Sequence, residues 1–213
     1  KAEFQTDQPF SDEPQATGHG SQATGHDSDA RQVAWRLGIP FKVLSVAEDF
    51  SAIIDSFVED YENGRTPNPC IRCNERVKFR RLFELADSVG ARYVATGHYA
   101  RLVGAGSRLA RAYDRAKDQS YVLAEVDPEI LAECVFPLGD LTKDQVRGLA
   151  AESGLGELVS DESQDICFVS ESGYRGFLRE RLGERTGQVI DEQGNVIGTH
   201  TGTYNYTVGQ RRG

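Results

Sequence analysis

Between positions 50 and 61 the apolar residues Phe50, Ile53, Ile54, Phe57, Val58 and Tyr61 fall at i, i+3, i+4, i+7, i+8 and i+11. Only a helix of 3.6 residues per turn gathers that spacing into one stripe, so a buried amphipathic helix is required here, with Gly64 just past its end. The preceding run PFKVLSV (40–46) predicts a buried strand. Ahead of that, SDARQVAWRLG predicts a helix capped by Ser28, with Ala30, Val33, Ala34 and Leu37 on one face, Trp35 packed, and Gly38 as its stop. Residues 74–89 predict a further helix, with Val77, Leu82, Leu85, Ala86 and Val89 inward and Gly90 closing it. RYVATGH (92–98) predicts a second apolar strand. Helix, strand, helix, helix, strand is the alternation of a parallel α/β sheet. Ligands in such sheets bind beyond the carboxyl ends of the strands, which places Thr96, Gly97 and His98 well.

Two short strands, YARLV and RLARAY, flank GAGS as a hairpin. DPEILAECVF and TKDQVRGLAAESG predict helices, the second capped by Thr142. Beyond Cys167 come a helix (172–182) and a hairpin in GQVIDEQGNVIGTHTG, turning at Gln193-Gly194-Asn195, with His200 expected to make a local hairpin hydrogen bond. The change from α/β alternation to hairpins sets a boundary near 170. Three regions are therefore expected: a low-complexity, disordered tail (1–27), an α/β domain (28–170), and the start of a smaller domain (171–213). The tail holds the tandem heptads QATGHGS and QATGHDS, which supply His19 and His26, too few ligands for a metal site.

The chain has no methionine and stops on Gly213 directly after YTVGQRR, which reads as a fragment of a longer protein. No apolar run approaches the roughly 20 residues of a membrane span, and no signal peptide is visible. Four cysteines in 213 residues are too few for a disulfide scaffold, so a reducing, cytoplasmic setting and no membrane partner are expected. The net charge of −9 is uneven. Residues 65–117 hold 12 Lys/Arg against 4 Asp/Glu, whereas residues 1–64 hold 4 against 12. A local excess of that size is the electrostatic footprint of a polyanion-binding surface, or a solvated helix face.

The stretch TPNPCIRCNERVKF sets Cys70 and Cys73 three positions apart. Zinc would need two further ligands, and the remaining thiols, Cys134 and Cys167, are isolated, with Cys134 expected in the core. A redox or nucleophilic pair ahead of a helix fits better, because amide dipoles and Arg72, Arg76 and Lys78 favour a thiolate. The Pro-Asn-Pro lead-in holds an extended loop suited to presenting a group to a docked substrate.

GRTPNPCIRCNERVKF, ATGHYARL, KDQSYVL, SQDICFV and GTYNYTVGQRRG, in this order from about residue 28 to 213, resemble the tRNA-specific 2-thiouridylase family. The resemblance implies an ATP-pyrophosphatase-like (adenine nucleotide alpha hydrolase-like) α/β domain with a parallel sheet, here truncated, followed by a small central domain and a C-terminal β-barrel. It implies adenylation of the C2 oxygen of a wobble uridine and its replacement by sulfur from a cysteine persulfide. Cys73 matches the nucleophile and Cys167 the persulfide carrier, and the two can form a transient disulfide. Gly97 matches an ATP contact, His98 a tRNA contact, Asn68, Pro69 and Cys70 the target-base tripeptide, and Lys117, Asp118 and Gln119 a tRNA-contacting loop. Asp165, beside Cys167, is expected to cap or face solvent. Implied partners are tRNA and a sulfur-donor relay protein or desulfurase, with Mg-dependent ATP as co-substrate.

Two departures from the family pattern stand out. Its Ser-Gly-Gly-Val-Asp-Ser loop is unmatched in residues 1–27 and its barrel is unmatched at the other end. Little activity is therefore expected of this chain alone, and the alternative is a catalytically inactive tRNA-binding remnant. Some relatives have Asp where this chain has Cys70; with Cys70, Cys73 and Cys167, a [4Fe–4S] cluster is the alternative sulfur carrier.

Overall fold

The computed structural model describes residues 25–104, 108–158, 166–169 and 173–211, with side chains from residue 29 onward. His19, the side chain of His26, most of GAGS, Asp165 and the expected tail up to residue 24 lie outside the described residues. Two compact units are present, 1–43 and 44–213.

In the first unit, α1 spans Gly25–Leu37, so Ser28 falls inside its first turn rather than ahead of it. Of the expected inward face only Ala34 is buried; Leu37 is largely exposed and Trp35 is 77% exposed, so the Trp does not pack. Residues 39–46 form no strand. Their backbone finds no ladder neighbour among the described residues, and Val43 faces solvent. An apolar run alone does not make a strand without a partner edge.

In the second unit, α2 (Ala47–Glu62) buries Ile53, Phe57 and Tyr61, as the spacing requires, and Gly64 follows with φ 71°. A continuous helical stretch then runs from α3 (Pro69–Cys73) through a π turn (Asn74–Phe79) into α4 (Arg80–Val89). The π turn shifts the phase of everything after it. Phe79 and Ala86 are buried, while Val89, expected inward, is 56% exposed. Gly90 closes α4 in the left-handed conformation.

β1 (Val94–Ala95) pairs in parallel with β4 (Cys134–Val135), the α/β crossover of the predicted fold. The helix expected over 127–136 divides into α5 (Pro128–Ala132) and β4, because Val94 and Thr96 donate their N–H groups to Glu133 and Val135 and draw that stretch into the ladder. β2 (Ala100–Val103) and β3 (Arg108–Arg111) form the expected hairpin. α6 (Lys143–Glu152) begins with a full capping box between Thr142 and Gln145. Gly139 lies so close to Ala100 that a Cβ there would collide with the Ala100 carbonyl. After α7 (Gly173–Leu182), β5 (Gly187–Ile190) and β6 (Val196–His200) make the second predicted hairpin, with Gly194 at φ 85° in its turn. His200 Nδ1 accepts the Gly202 N–H at 3.1 Å, the local bond expected of it.

One core cluster joins Phe79, Ala100, Leu123, Val126, Leu131 and Cys134. A second joins Phe57, Tyr61, Leu178 and Tyr204, and a third holds Ile53, Cys73 and Val77. α2 contributes to the last two, which is how one helix comes to lie between the two cysteine-bearing segments.

Candidate active site

The thiols do not precede a helix; they lie on it. Asn68 is the N-cap, its side chain accepting the Cys70 N–H at 3.1 Å, and Pro69 occupies the first helical position, buried. Cys70 is half-buried and Cys73 is 8% exposed. Asn74, fully buried, donates from Nδ2 to the Cys70 carbonyl (2.9 Å) and to the Val122 carbonyl (3.3 Å), while its own Oδ1 has no partner. The segment is thus pinned from beneath to the 3₁₀ turn Ser120–Leu123.

It is pinned from the side as well. Arg72 turns away from the thiols, hydrogen-bonds Ser56 and pairs with Asp60 at 2.9 Å. Asp60 is 4% exposed and also takes Arg65 at 2.6 Å. Two arginines of the thiol loop are therefore anchored on one buried carboxylate of α2. Arg76 pairs with its neighbour Glu75 at 3.1 Å. Of the three cations expected beside the thiols only Lys78 acts on them, and among the described residues no carboxylate pairs with it.

The expectation of activated thiolates needs correction. Burial pushes the Cys73 thiol up from its ordinary value; Lys78 opposes this, and the charges of Cys167 and Cys70 add to the rise. Cys70 is likewise pushed up by burial, opposed by Lys78 and raised further by Cys167. Desolvation of the anion outweighs the single nearby cation. Cys167 lies 94 positions after Cys73 in the chain, and its charge adds to the rise at both buried thiols.

Cys167 is exposed, but its neighbours are not free to wander. Ile166 and Phe168 pack against the second cluster. The Phe168 ring meets Phe57 and Phe177, both at 5.3 Å between centroids, and Phe50 at 5.8 Å. Phe50 also packs against the cluster holding Cys73, so α2 serves as the common wall. All four cysteines are free thiols.

Beside Cys73 opens a cavity of about 340 Å³ with an almost wholly apolar lining, walled by Leu44, Val46, Phe50, Val77, Phe79 and Leu82, with Lys78, Arg81, Thr96 and His98 contributing to it as well. His98 stacks on Phe79 and meets Phe136 edge-on, and its Nδ1 shares a 2.8 Å hydrogen bond with the Thr96 hydroxyl. Burial, helped by Lys78, lowers its pKa to about 4, so at neutral pH the imidazole is uncharged and offers hydrogen bonds rather than a cation. Gly97 lies beside it with only Leu138 Cδ1, 3.8 Å away, near the position a Cβ would take. The fold does not demand a glycine there; its absent side chain keeps the ground open.

Of the loop expected to contact tRNA, Asp118 turns inward, whereas Gln119 stays exposed while bonding the neighbouring backbone. Burial opposes the Asp118 charge, yet bonds from Ala112 N–H, the Ser120 hydroxyl and Ser120 N–H, with Arg111 nearby, together hold its pKa below the ordinary carboxylate range. Gln119 clamps Tyr99, accepting its N–H at 3.0 Å and donating to its carbonyl at 2.8 Å. These two brace the turn after His98, and Lys117 stands beside them.

Cys70, Cys73 and Cys167 do not assemble into a ligand set: among the described residues no three or more His, Cys, Asp or Glu side chains are grouped as a metal site. Among the described residues no helix is long and apolar enough to cross a membrane. Three residues with a part in the site have no role in the sequence reading: Asp60, Asn74 and Phe168. Asp60 left one signal, an acidic residue three positions after Phe57 on the buried stripe, which requires a partner.

Residues 7–171 match the family model described as the tRNA methyl transferase HUP domain, and 175–213 the tRNA methyl transferase PRC-barrel domain. The tRNA-specific 2-thiouridylase MnmA of Salinispora arenicola is 53% identical over 187 residues, covering 87% of this chain and 52% of that protein. The proteins of the same name from Geobacter metallireducens (50% over 191 residues, 87% and 52%) and Thermobifida fusca (48% over 186 residues, 87% and 51%) are similar to it to a like degree. The chain spans about half the length of the curated relatives it matches. With its HUP-type α/β domain, the smaller β-containing region after it and the thiol-bearing motifs in order, the chain belongs to the tRNA-specific 2-thiouridylase family.

Proposed function

We propose that this chain provides the sulfur-transfer half of a tRNA 2-thiouridine synthase. The observation that carries this reading is that Phe50 packs both on Phe168, next to Cys167, and on the cluster holding Cys73, so segments remote in the chain share one wall beside a mostly apolar cavity lined by His98. A pyrimidine C2 oxygen is a poor leaving group, so ATP first adenylates it, with loss of pyrophosphate, at ground kept open by Gly97. Cys167 carries the sulfur as a persulfide, since its exposure suits loading by a donor protein. The Cys73 thiolate then attacks the inner sulfur of that persulfide, forming a Cys73–Cys167 disulfide and releasing hydrosulfide. Hydrosulfide adds at C2, and AMP departs with the oxygen. A thiol reductant restores both cysteines.

The uridine must leave its stack to enter such a site. A neutral His98 and the capped Asn68 are suited to hydrogen-bonding its edge, and Lys117 to a phosphate. Asp118 and Gln119 support the site from behind. The four thiols favour sulfur chemistry over the methyl transfer in the family model's description.

The test is a chimera in which this chain replaces the matching half of the Salinispora arenicola relative. 2-Thiouridine should form in its tRNA, and Cys73→Ser or Cys167→Ser should each abolish it. Persulfide loading of the 213-residue chain itself, read by mass spectrometry, should fall on Cys167. Loading elsewhere, or a chimera indifferent to Cys73→Ser, overturns the reading.

A further inference from the structure

We propose that Asn74 is a positioning residue for the sulfur transfer, setting the Cys70–Cys73 segment in register with His98 through the 3₁₀ turn Ser120–Leu123; this rests on the sulfur-relay reading above. The Asn74 side chain is fully buried, and its Nδ2 hydrogens go to carbonyls of two segments remote in the chain, Cys70 at 2.9 Å and Val122 at 3.3 Å. The first bond is not needed to satisfy Cys70, whose carbonyl already receives the Asn74 backbone N–H. Its effect is to fix the amide so that the other hydrogen points at Val122. Oδ1 is left buried without a partner, which costs stability and which an anchor serving stability alone would not leave.

The turn that receives this bond has two further attachments. The Val122 and Leu123 side chains are rooted in the core cluster with Phe79 and Ala100. At its start Gln119 accepts the Tyr99 N–H at 3.0 Å and donates its own N–H to the Tyr99 carbonyl at 2.8 Å, and Tyr99 directly follows His98. One turn therefore carries the thiol-bearing helix on one side and the strand end with the imidazole on the other. Asn74 and Gln119 are the two links of that series. Cys73 and His98 line the same cavity, so the series fixes the span across which a reacting group is held between them. A misplacement of about 1 Å across such a span costs about a hundredfold in rate, whereas a single hydrogen bond contributes only modestly to folding. The signature of Asn74 is thus a loss in turnover out of proportion to any loss in stability.

The test uses the chimera described above and the 213-residue chain. In the chimera, Asn74→Ala should lower kcat for 2-thiouridine formation by about tenfold or more per folded molecule, with KM for tRNA within about twofold of wild type. Gln119→Ala, at an exposed residue, cuts the other link. Once either link is gone the remaining one holds nothing in register, so the double variant should lose far less kcat than the product of the two single losses. A merely structural role would give losses that multiply. The chain alone, with neither tRNA nor ATP, supplies a second reading. Amide exchange at Tyr99, whose N–H is bonded to Gln119 and not to Asn74, should accelerate several-fold in Asn74→Ala while the β5–β6 amides keep their rates. Asn74→Ser keeps a hydroxyl able to bond the Cys70 carbonyl four residues back but too short for Val122; it should behave as Asn74→Ala does, and replaces it if the alanine variant does not fold. An unchanged kcat, losses that multiply, or Tyr99 exchange at its wild-type rate overturns the proposal. If Tyr99 exchange accelerates while the wild-type chimera makes no 2-thiouridine, the relay reading fails alone; if that chimera works and the variants leave kcat and exchange as they were, only the assignment of Asn74 fails.

Discussion

The two cysteines of the relay are held in opposite ways. Cys73 is buried on a helix pinned by a cap, by Asn74 and by an arginine pair on Asp60. Cys167 is exposed, on a short segment whose only described anchors are the apolar side chains on either side. A polar pin has direction and fixes an angle; an aromatic cluster fixes a place while leaving its neighbours room to turn. The difference suits an attacking thiol that keeps its aim and a carrier thiol that must meet both a donor and its partner.

The largest effect comes from removing the pin on the Cys73 side. Asp60→Ala releases Arg72 and Arg65 together and should cost about 3 kcal/mol in urea melts, for the charge-assisted hydrogen bonds lost. Cys70 and Cys73 should then alkylate faster while Cys167 changes little. Equal acceleration of all three would mean that the two sides are not separately held.

Next in size is a pH effect on the cavity wall. The His98 imidazole takes a proton near its ordinary 6.5 when unfolded and only near 4 when folded. Between those values the unfolded state binds more protons, so stability falls as pH drops from about 6.5 to about 4, and levels off below. The loss is about 3 kcal/mol at most. Subtracting the melt profile of His98→Gln should isolate it from carboxylate titrations. A difference profile that is flat across that window would show that His98 is not held uncharged.

On the Cys167 side, Phe168→Ala should cost about 2 kcal/mol, less than a full core truncation because the ring is only partly buried. Its sharper signature is geometric: oxidative coupling of Cys167 to Cys73 should slow several-fold, while alkylation of Cys167 by a small neutral reagent should not. Coupling that survives the substitution would place the anchor elsewhere.

Much of this architecture could be read from residue order. The α2 stripe, the Thr142 cap and both hairpins follow from local periodicity and turn chemistry, which neighbouring residues decide among themselves. What could not be read depends on partners remote in the chain. PFKVLSV has a strand's composition but no ladder neighbour among the described residues, and the helix expected over 127–136 gives way in its second half to β1 pairing. In residue order the Asn68 cap and Pro69 start read as loop and the thiols as lying ahead of a helix, whereas the helix begins at Pro69. Their pKa direction came out reversed, since burial is a tertiary quantity and the nearby arginines found carboxylates of their own. The π turn leaves no mark in composition, so the phase shift it imposes on α4 is not legible in residue order.

The smallest effect separates two roles of one residue. Asn68 caps α3 through its side-chain oxygen, and the family resemblance gives it a contact with the target base. A cap needs only an acceptor, whereas reading the edge of a uridine also uses the amide donor. Asn68→Asp keeps the acceptor and loses the donor, so melts should stay within a few tenths of a kcal/mol of wild type; Asn68→Ala loses both and should cost about 1 kcal/mol. In the chimera, 2-thiouridine formation should fall with either substitution, since the base contact is lost in both. If Asn68→Asp retains full activity and Asn68→Ala does not, the residue serves the reaction only by holding the first turn beneath Cys70 and Cys73. The rigidity of that turn, rather than any reading of the base by Asn68, would then be its whole contribution.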